Sequence, residues 1–462
     1  MQTNAKSILA QPFQNTNMVL AGKGILVGIL TGFVVSIFRL IIDHTLQGLY
    51  IIYPYMKSHP ATIIGYVAAT IVLAWILGRL IKPYMIELGG SGIPQVEAEL
   101  DGEINPRWWP IFWRKFVGGL LAICPGMFLG REGPCIQMGS LIGQGCAEGF
   151  FVRHDMATAK KQREKRVLIA SGVAAGLSAA FSAPVAGALF LLEEITLDFD
   201  AVIWLTALAA ALASDLVTIL FFGLKPSLQL TYNFSLPLKD YWMLLILGVI
   251  LGLLAYAYQW TILNLHIWYG KLNKFLPACY HSVIPLLLII PIGLWHPLIL
   301  GGSHNFILEL TGRQMQSLVT SGAGSMLGLF LVYFVVRYVF SMLCYGAGTP
   351  GGIFMPILVM GATLGAAFAS AAISMNLIST AFYLNLIIYA MAAYFGAIEK
   401  APFTAVILIS EMVGSIKHML PLLLVTLVAY LINDWLGGQP IYGALRKTID
   451  FSKLPSYKPV EK

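Results

Sequence analysis

Gly126-Met-Phe-Leu-Gly130-Arg131-Glu132-Gly133-Pro134-Cys-Ile-Gln-Met138-Gly139-Ser-Leu-Ile-Gly143 sets an acidic side chain between glycines and then runs into an apolar, glycine-spaced segment. Pro134 suits the first turn of a helix, where its missing N–H would have no partner anyway. The glycines before it let the backbone take conformations that other residues avoid. The first N–H groups of such a helix are free and carry the positive end of its dipole, so this end is a site for an anion. Glu132 puts a carboxylate of the chain itself where an external anion would bind.

The surroundings are those of a membrane. Hydrophobic residues make up 58% of the 462 and charged residues 11%, against about 25% charged in soluble domains. No Asp, Glu, Lys or Arg occurs from Tyr338 to Ile398, a run far longer than the ~20 residues one spanning helix needs. Apolar runs recur along nearly the whole length, so we read one all-α integral membrane domain over residues 1–462. Nothing after Tyr442 is long enough for a cytoplasmic regulatory domain. The N-terminus lacks the pattern of a cleaved signal peptide. The five cysteines show no paired spacing and read as small packing residues.

Arg153, Lys160, Lys161, Arg163, Lys165 and Arg166 crowd one loop beside only Asp155 and Glu164. By the positive-inside rule that loop is cytoplasmic. Gly24, Gly28 and Gly32 give the first membrane helix a face for close packing. Arg39 and Asp43, one turn apart, are expected to pair. A single helix is expected from Val167 to Ile195, ending in Glu193-Glu194. Further helices are expected near Ile63–Ile81, Trp108–Met127, Val202–Phe222, Trp242–Tyr269, Ser282–Leu300, Ser325–Tyr345, Ile353–Ala372, Ala381–Ala397, Pro402–Val413 and Leu420–Leu436, with a C-terminal helix at about 439–452.

The chain also repeats itself. Gly130, Pro134, Met138, Gly139 and Gly143 return as Gly352, Pro356, Met360, Gly361 and Gly365. Ala174-Ala175, Ala179, Ala183-Pro184 and Glu193 return as Ala392-Ala393, Ala397, Ala401-Pro402 and Glu411. The two matches keep their order at nearly one spacing, which divides the chain into halves of approximately 18–225 and 237–440. Repeats with helices broken at corresponding places are a feature of secondary transporters. Irregular backbone at membrane depth is tolerated only where it is buried in protein or lines a polar cavity. Gly90–Pro94, Gly130–Pro134 and Gly352–Pro356 are therefore expected to aim helix N-termini at one midplane site. Dipoles and neutral donors such as Ser91 favour an anion without the full cationic charge that would hold it too tightly to release.

GSGIP at 90–94, GREGP at 130–134, GGIFMP at 351–356 and Tyr442 in the C-terminal helix together resemble the CLC family of chloride channels and proton-coupled chloride transporters. The Ser171–Glu194 segment ending in Glu-Glu is similar as well. The resemblance covers nearly the whole chain and implies two inverted-topology repeats with broken and re-entrant helices. It also implies a homodimer with one pathway per subunit. Carried onto this chain, it gives Ser91 and Tyr442 as hydroxyl donors to chloride, with the N–H groups of Ile353 and Phe354 completing the shell. Glu132 becomes the gating glutamate and Glu194 the internal proton-transfer residue, where channel members usually carry an uncharged side chain. Met412 is the second-half counterpart of Glu194, while Glu193 matches Glu411 and reads as structural. Lys115 falls on a family position and is expected to pair with Glu97.

The expected function is chloride/proton antiport in a prokaryotic plasma (inner) membrane, with chloride, protons and the lipid bilayer as partners and no nucleic acid. A passive chloride channel would share every anion motif and is disfavoured by Glu194; an exchanger of another halide or anion is the other alternative. No nucleophile–base pair or metal cluster stands out, so neither an enzyme nor a cofactor is expected.

Overall fold

The computed structural model describes residues 15–151, 158–197, 199–230 and 235–459. Among the described residues eighteen α-helices form, the first half contributing α1 (Asn15–Ser58), α2 (Ala61–Ile81), α3 (Met85–Leu88), α4 (Ile93–Leu100), α5 (Trp108–Ile123), α6 (Glu132–Cys146), α7 (Thr158–Phe181), α8 (Pro184–Phe190) and α9 (Ala201–Phe222). The second half contributes α10 (Trp242–Leu272), α11 (Val283–Trp295), α12 (His304–Thr311), α13 (Arg313–Gly346), α14 (Phe354–Ser374), α15 (Tyr383–Glu399), α16 (Pro402–Val413), α17 (Met419–Trp435) and α18 (Ile441–Arg446). Among the described residues no strand forms, and eight helical segments are long and apolar enough to cross a membrane. The chain is a multi-pass membrane protein.

Small residues decide how close these helices come. A Cβ on Gly24 would meet the Thr206 methyl at 2.6 Å, one on Gly28 the Ala210 backbone at 2.9 Å, and one on Gly32 the Ser214 carbonyl at 2.6 Å. The four-residue spacing on α1 thus lies against a four-residue spacing on α9. Replacing Gly28 with leucine should cost at least about 1–3 kcal/mol of overpacking strain, read as a lower melting temperature in detergent.

The repeated glycines do the same work in each half. Gly139 of α6 touches the Gly172 backbone of α7, and Gly361 of α14 approaches the Ala390 carbonyl of α15 within 2.9 Å of a built Cβ. The repeated glutamates are reciprocal. Glu411 accepts the Val185 and Ala186 N–H groups at 3.1 and 2.8 Å, capping α8. Glu193 accepts those of Phe403 and Thr404 at 3.1 and 2.7 Å, capping α16. Each half therefore supplies the carboxylate that satisfies the free N–H groups of the other.

Four expectations are corrected here. The helix expected over Val167–Ile195 breaks after Phe181: Ser182 is left-handed (φ 54°), because Pro184 drives Ala183 out of the helical region. Past α8 the chain widens into a π turn over Leu191–Thr196 that carries Glu193 and Glu194. Arg39 does not pair with Asp43. It donates to the Ala179 carbonyl freed by that break and lies over the Phe222 ring at 4.3 Å, while Asp43 bridges Arg131 at 2.5 Å. The basic loop is largely helix: Lys160 to Arg166 open α7, and Arg153 and Asp155 lie outside the described residues. The C-terminal helix is only Ile441–Arg446, followed by a 3₁₀ turn over Phe451–Lys453.

Helix α7 gives the molecule its direction, since its 24 residues rise about 36 Å at 1.5 Å each. At its basic end Lys23 pairs with Glu164, and Arg163 reaches Asp200 at 3.4 Å. Asp200 caps α9 through the Val202 and Ile203 N–H groups. Partial burial pushes its carboxyl up, but those donors and Arg163 hold it below the ordinary aspartate value. At the other end sits Arg39. The positive-inside rule predicts that the basic end faces the cytoplasm.

Candidate functional site: an anion pocket between broken helices

The three glycine-proline junctions meet. Gly130 and Gly352 exchange both N–H···O bonds at 2.7 Å, Gly90 donates to Thr349 at 3.2 Å, and Gly351 donates back to Gly90 at 3.0 Å. A Cβ on Gly133 would meet the Ser91 side chain at 2.7 Å, and one on Gly352 the Gly133 nitrogen at 3.0 Å. Without glycine the loops could not approach, and the starts of α4, α6 and α14 would not share one space. Gly92 precedes α4 in a left-handed conformation (φ 89°), which turns Ser91 toward the junction. The Ser91 hydroxyl accepts the Ile93 N–H at 3.3 Å, leaving its own proton to donate elsewhere, and the Tyr345 hydroxyl lies beside it.

Lys115 supports this loop from below. Its ammonium is buried and donates to the Leu88 and Gly90 carbonyls, both at 2.9 Å. The expected pairing with Glu97 is not formed; the cation that acts on Glu97 is Arg446. The carbonyls that end α3 and open the glycine loop need a donor at that depth, and they capture the ammonium. Helix α4 is buried along its whole length.

Glu132 opens α6 and is 1% exposed. Its carboxyl turns toward Gly130 and the Met355 N–H in the first turn of α14, yet neither oxygen completes a hydrogen bond with the protein. Arg131 stands 3.9 Å from it. Above lies a cavity of about 250 Å³ that Arg39, Arg131, Lys225 and Asp43 line with Ser182 and His304. A smaller one of about 30 Å³, lined by Asp43, Arg131, His304 and Met355, reaches Glu132 itself. A predominantly basic vestibule, on the side away from the basic end of α7, therefore leads down to a carboxyl at a helix start.

On the opposite side, Phe354 heads α14 with its ring against Phe395 at 4.3 Å, Phe181 at 5.1 Å and Phe190 at 5.8 Å. Phe190 in turn meets the Tyr442 ring at 6.4 Å. Ile353 and Phe354 are buried, and the first N–H groups of a helix have no partner within it. The Tyr442 hydroxyl is buried without a protein partner. Glu194 approaches the Tyr442 backbone from the π turn and is 4% exposed. Ser91, Glu132, Ile353, Phe354 and Tyr442 are thus gathered at one junction, with Glu194 joined to it through Tyr442.

Sequence reasoning passed over Glu399. It closes the charge-free run, is wholly buried, and faces Tyr442. The signal was there: an acidic residue at the end of so long an uncharged stretch sits at membrane depth by default.

Comparison with known proteins agrees with this geometry. The family profile described as "Voltage gated chloride channel" matches residues 69–434. The chain belongs to this family, the CLC proteins. Its relatives include the H(+)/Cl(-) exchange transporter ClcA of Klebsiella pneumoniae, 32% identical over 387 residues that make up 81% of this chain and 76% of that one. The ClcA protein of Salmonella typhi matches with the same identity and coverage. Among solved structures, a slow cyanobacterial Cl⁻/H⁺ antiporter superposes with a TM-score of 0.82 at 26% identity, covering 93% of this chain and 97% of that one. A CLC-type fluoride/proton antiporter shares the fold, with a TM-score of 0.68 at 19% identity over 90% of this chain and 95% of that one.

Proposed function

We propose that this CLC protein exchanges chloride for protons across a prokaryotic inner membrane, as a homodimer with one pathway in each subunit. The observation that carries the reading is the position of the Glu132 carboxyl, at a helix start, beside the Met355 N–H and at the foot of a basic vestibule. A carboxylate there occupies the place of an anion. Once protonated it loses its claim on the helix dipoles, swings aside and admits chloride. Chloride is then held by the Ser91 and Tyr442 hydroxyls and by the N–H groups of Ile353 and Phe354. All of these are neutral donors, so the ion is bound without being trapped.

Protons reach Glu132 from the cytoplasmic side, and Glu194 supplies them. It stands on the π turn that ends at Thr196, shortly before Asp200, which caps α9 and meets Arg163. The adjacent Glu193 has both oxygens committed to α16 and plays no part in transfer. One proton on Glu132 and one chloride in the pocket exclude or admit one another, so each cycle moves the two in opposite directions. Proteoliposomes containing the purified chain, given only a chloride gradient, should take up protons against their own gradient. Chloride flux without proton movement under those conditions would refute antiport and leave a channel.

A further inference from the structure

Glu399 ends α15 and is fully buried, and neither of its carboxyl oxygens has a hydrogen-bond partner in the protein. The cation next to it in sequence is engaged elsewhere. Lys400 turns left-handed (φ 60°), and its ammonium bridges Asp434 on α17 at 2.9 Å. Gln259 of α10 donates from one amide nitrogen to the Ile398 carbonyl at 2.7 Å and to the Gln439 carbonyl at 2.8 Å. This clamp ties the end of α15 to the segment that leads into α18. It sets the Glu399 carboxyl against the Tyr442 hydroxyl, itself buried and unpartnered. The other titratable groups that face this pair are Glu194 on the π turn, Glu97 on α4, Tyr345 on α13 and Tyr258 on α10. The Glu399 carboxyl and the Tyr442 hydroxyl thus stand within reach of one another without closing a well-formed hydrogen bond, and the hydroxyl is the one assigned to the anion.

We infer that Glu399 is a proton-linked positioning residue of the anion pocket, competing with the anion for the Tyr442 hydroxyl. As a carboxylate it accepts the Tyr442 O–H and repels a halide. When a proton adds to it, the O–H bond formed on Glu399 replaces the one broken on its donor, Glu194 or water from the cytoplasmic side. The repulsion ends, and the Tyr442 O–H is released to the anion. No electron transfer is involved, and the proton is returned when the anion leaves. The linkage is reciprocal: chloride binding strengthens proton binding at Glu399 by the factor by which the proton strengthens chloride binding. This rests on the anion-pocket reading above, and the experiment below separates the two.

Chloride binding to the purified full chain is measured by calorimetry from pH 5 to 9 in a Glu132→Gln background, which removes the gating carboxyl. Chloride affinity should rise on acidification, by at most about tenfold per pH unit, the limit for one linked proton. Adding Glu399→Gln should flatten this profile at its acidic level, while adding Glu194→Gln should leave a slope. Glu399→Ile, which fills the space without a polar group, should also be flat, with folding checked by thermal melting. A slope that survives both Glu399 substitutions, or a flat profile in Glu132→Gln alone, overturns the role of Glu399. Absence of chloride binding at every pH overturns the pocket itself.

Discussion

Replacing Glu132 with glutamine should leave chloride crossing the membrane while proton uptake driven by a chloride gradient falls by at least about 100-fold, the scale expected when a positioned proton-transfer group is lost. The glutamine keeps the size of the side chain, so the contacts around Gly130 and Met355 survive. What it lacks is the negative charge that competes with chloride and the proton that resolves the competition. Chloride flux should also lose most of its dependence on external pH, because the vestibule of Arg39, Arg131 and Lys225 opens onto this carboxyl from outside. Ion-selective and pH electrodes on the same liposome suspension check both halves of the result. Proton uptake at the wild-type rate would remove Glu132 from the pathway.

Glu194→Gln should abolish proton movement to a similar extent, about 100-fold or more, while leaving the external pH response of chloride flux in place. Glu194 is buried in a π turn and has one oxygen without a partner. It lies on the Tyr442 side of the pocket and not on the vestibule side. The two substitutions thus give the same loss of coupling, but only Glu132→Gln removes the external pH sensitivity. If Glu194→Gln transported protons normally, the route from the cytoplasm would have to run elsewhere.

Features that a sequence shows through local requirements were the readable ones. The glycines at 24, 28 and 32 predict a close helix crossing because only a missing Cβ permits it, and α9 lies there. The start of α16 at Pro402 follows from proline's place in a first turn, and the pairing of Glu193 with Glu411 shows in the repeat before their reciprocal caps are seen. Partner choice was far less legible. Arg39 has Asp43 one turn away, yet the break at Ser182 frees a carbonyl that claims it first, and Arg131 takes the aspartate. Lys115 likewise goes to backbone carbonyls rather than to Glu97. In both cases the winning acceptor is a main-chain oxygen exposed by a helix end, which no side-chain spacing records. Ala-Gly-rich composition also disguised the break before Pro184, since the apolar run continues across it.

The central claim is that one pocket, built where α4, α6 and α14 begin, serves a halide and a carboxyl in turn. Anomalous diffraction from Glu132→Gln crystals grown in bromide tests it most directly. Bromide is predicted within hydrogen-bonding reach of the Ser91 and Tyr442 hydroxyls, and a second ion where the Glu132 carboxyl lies beside the Met355 N–H. Bromide bound away from those helix starts, or none bound there at all, would contradict the account.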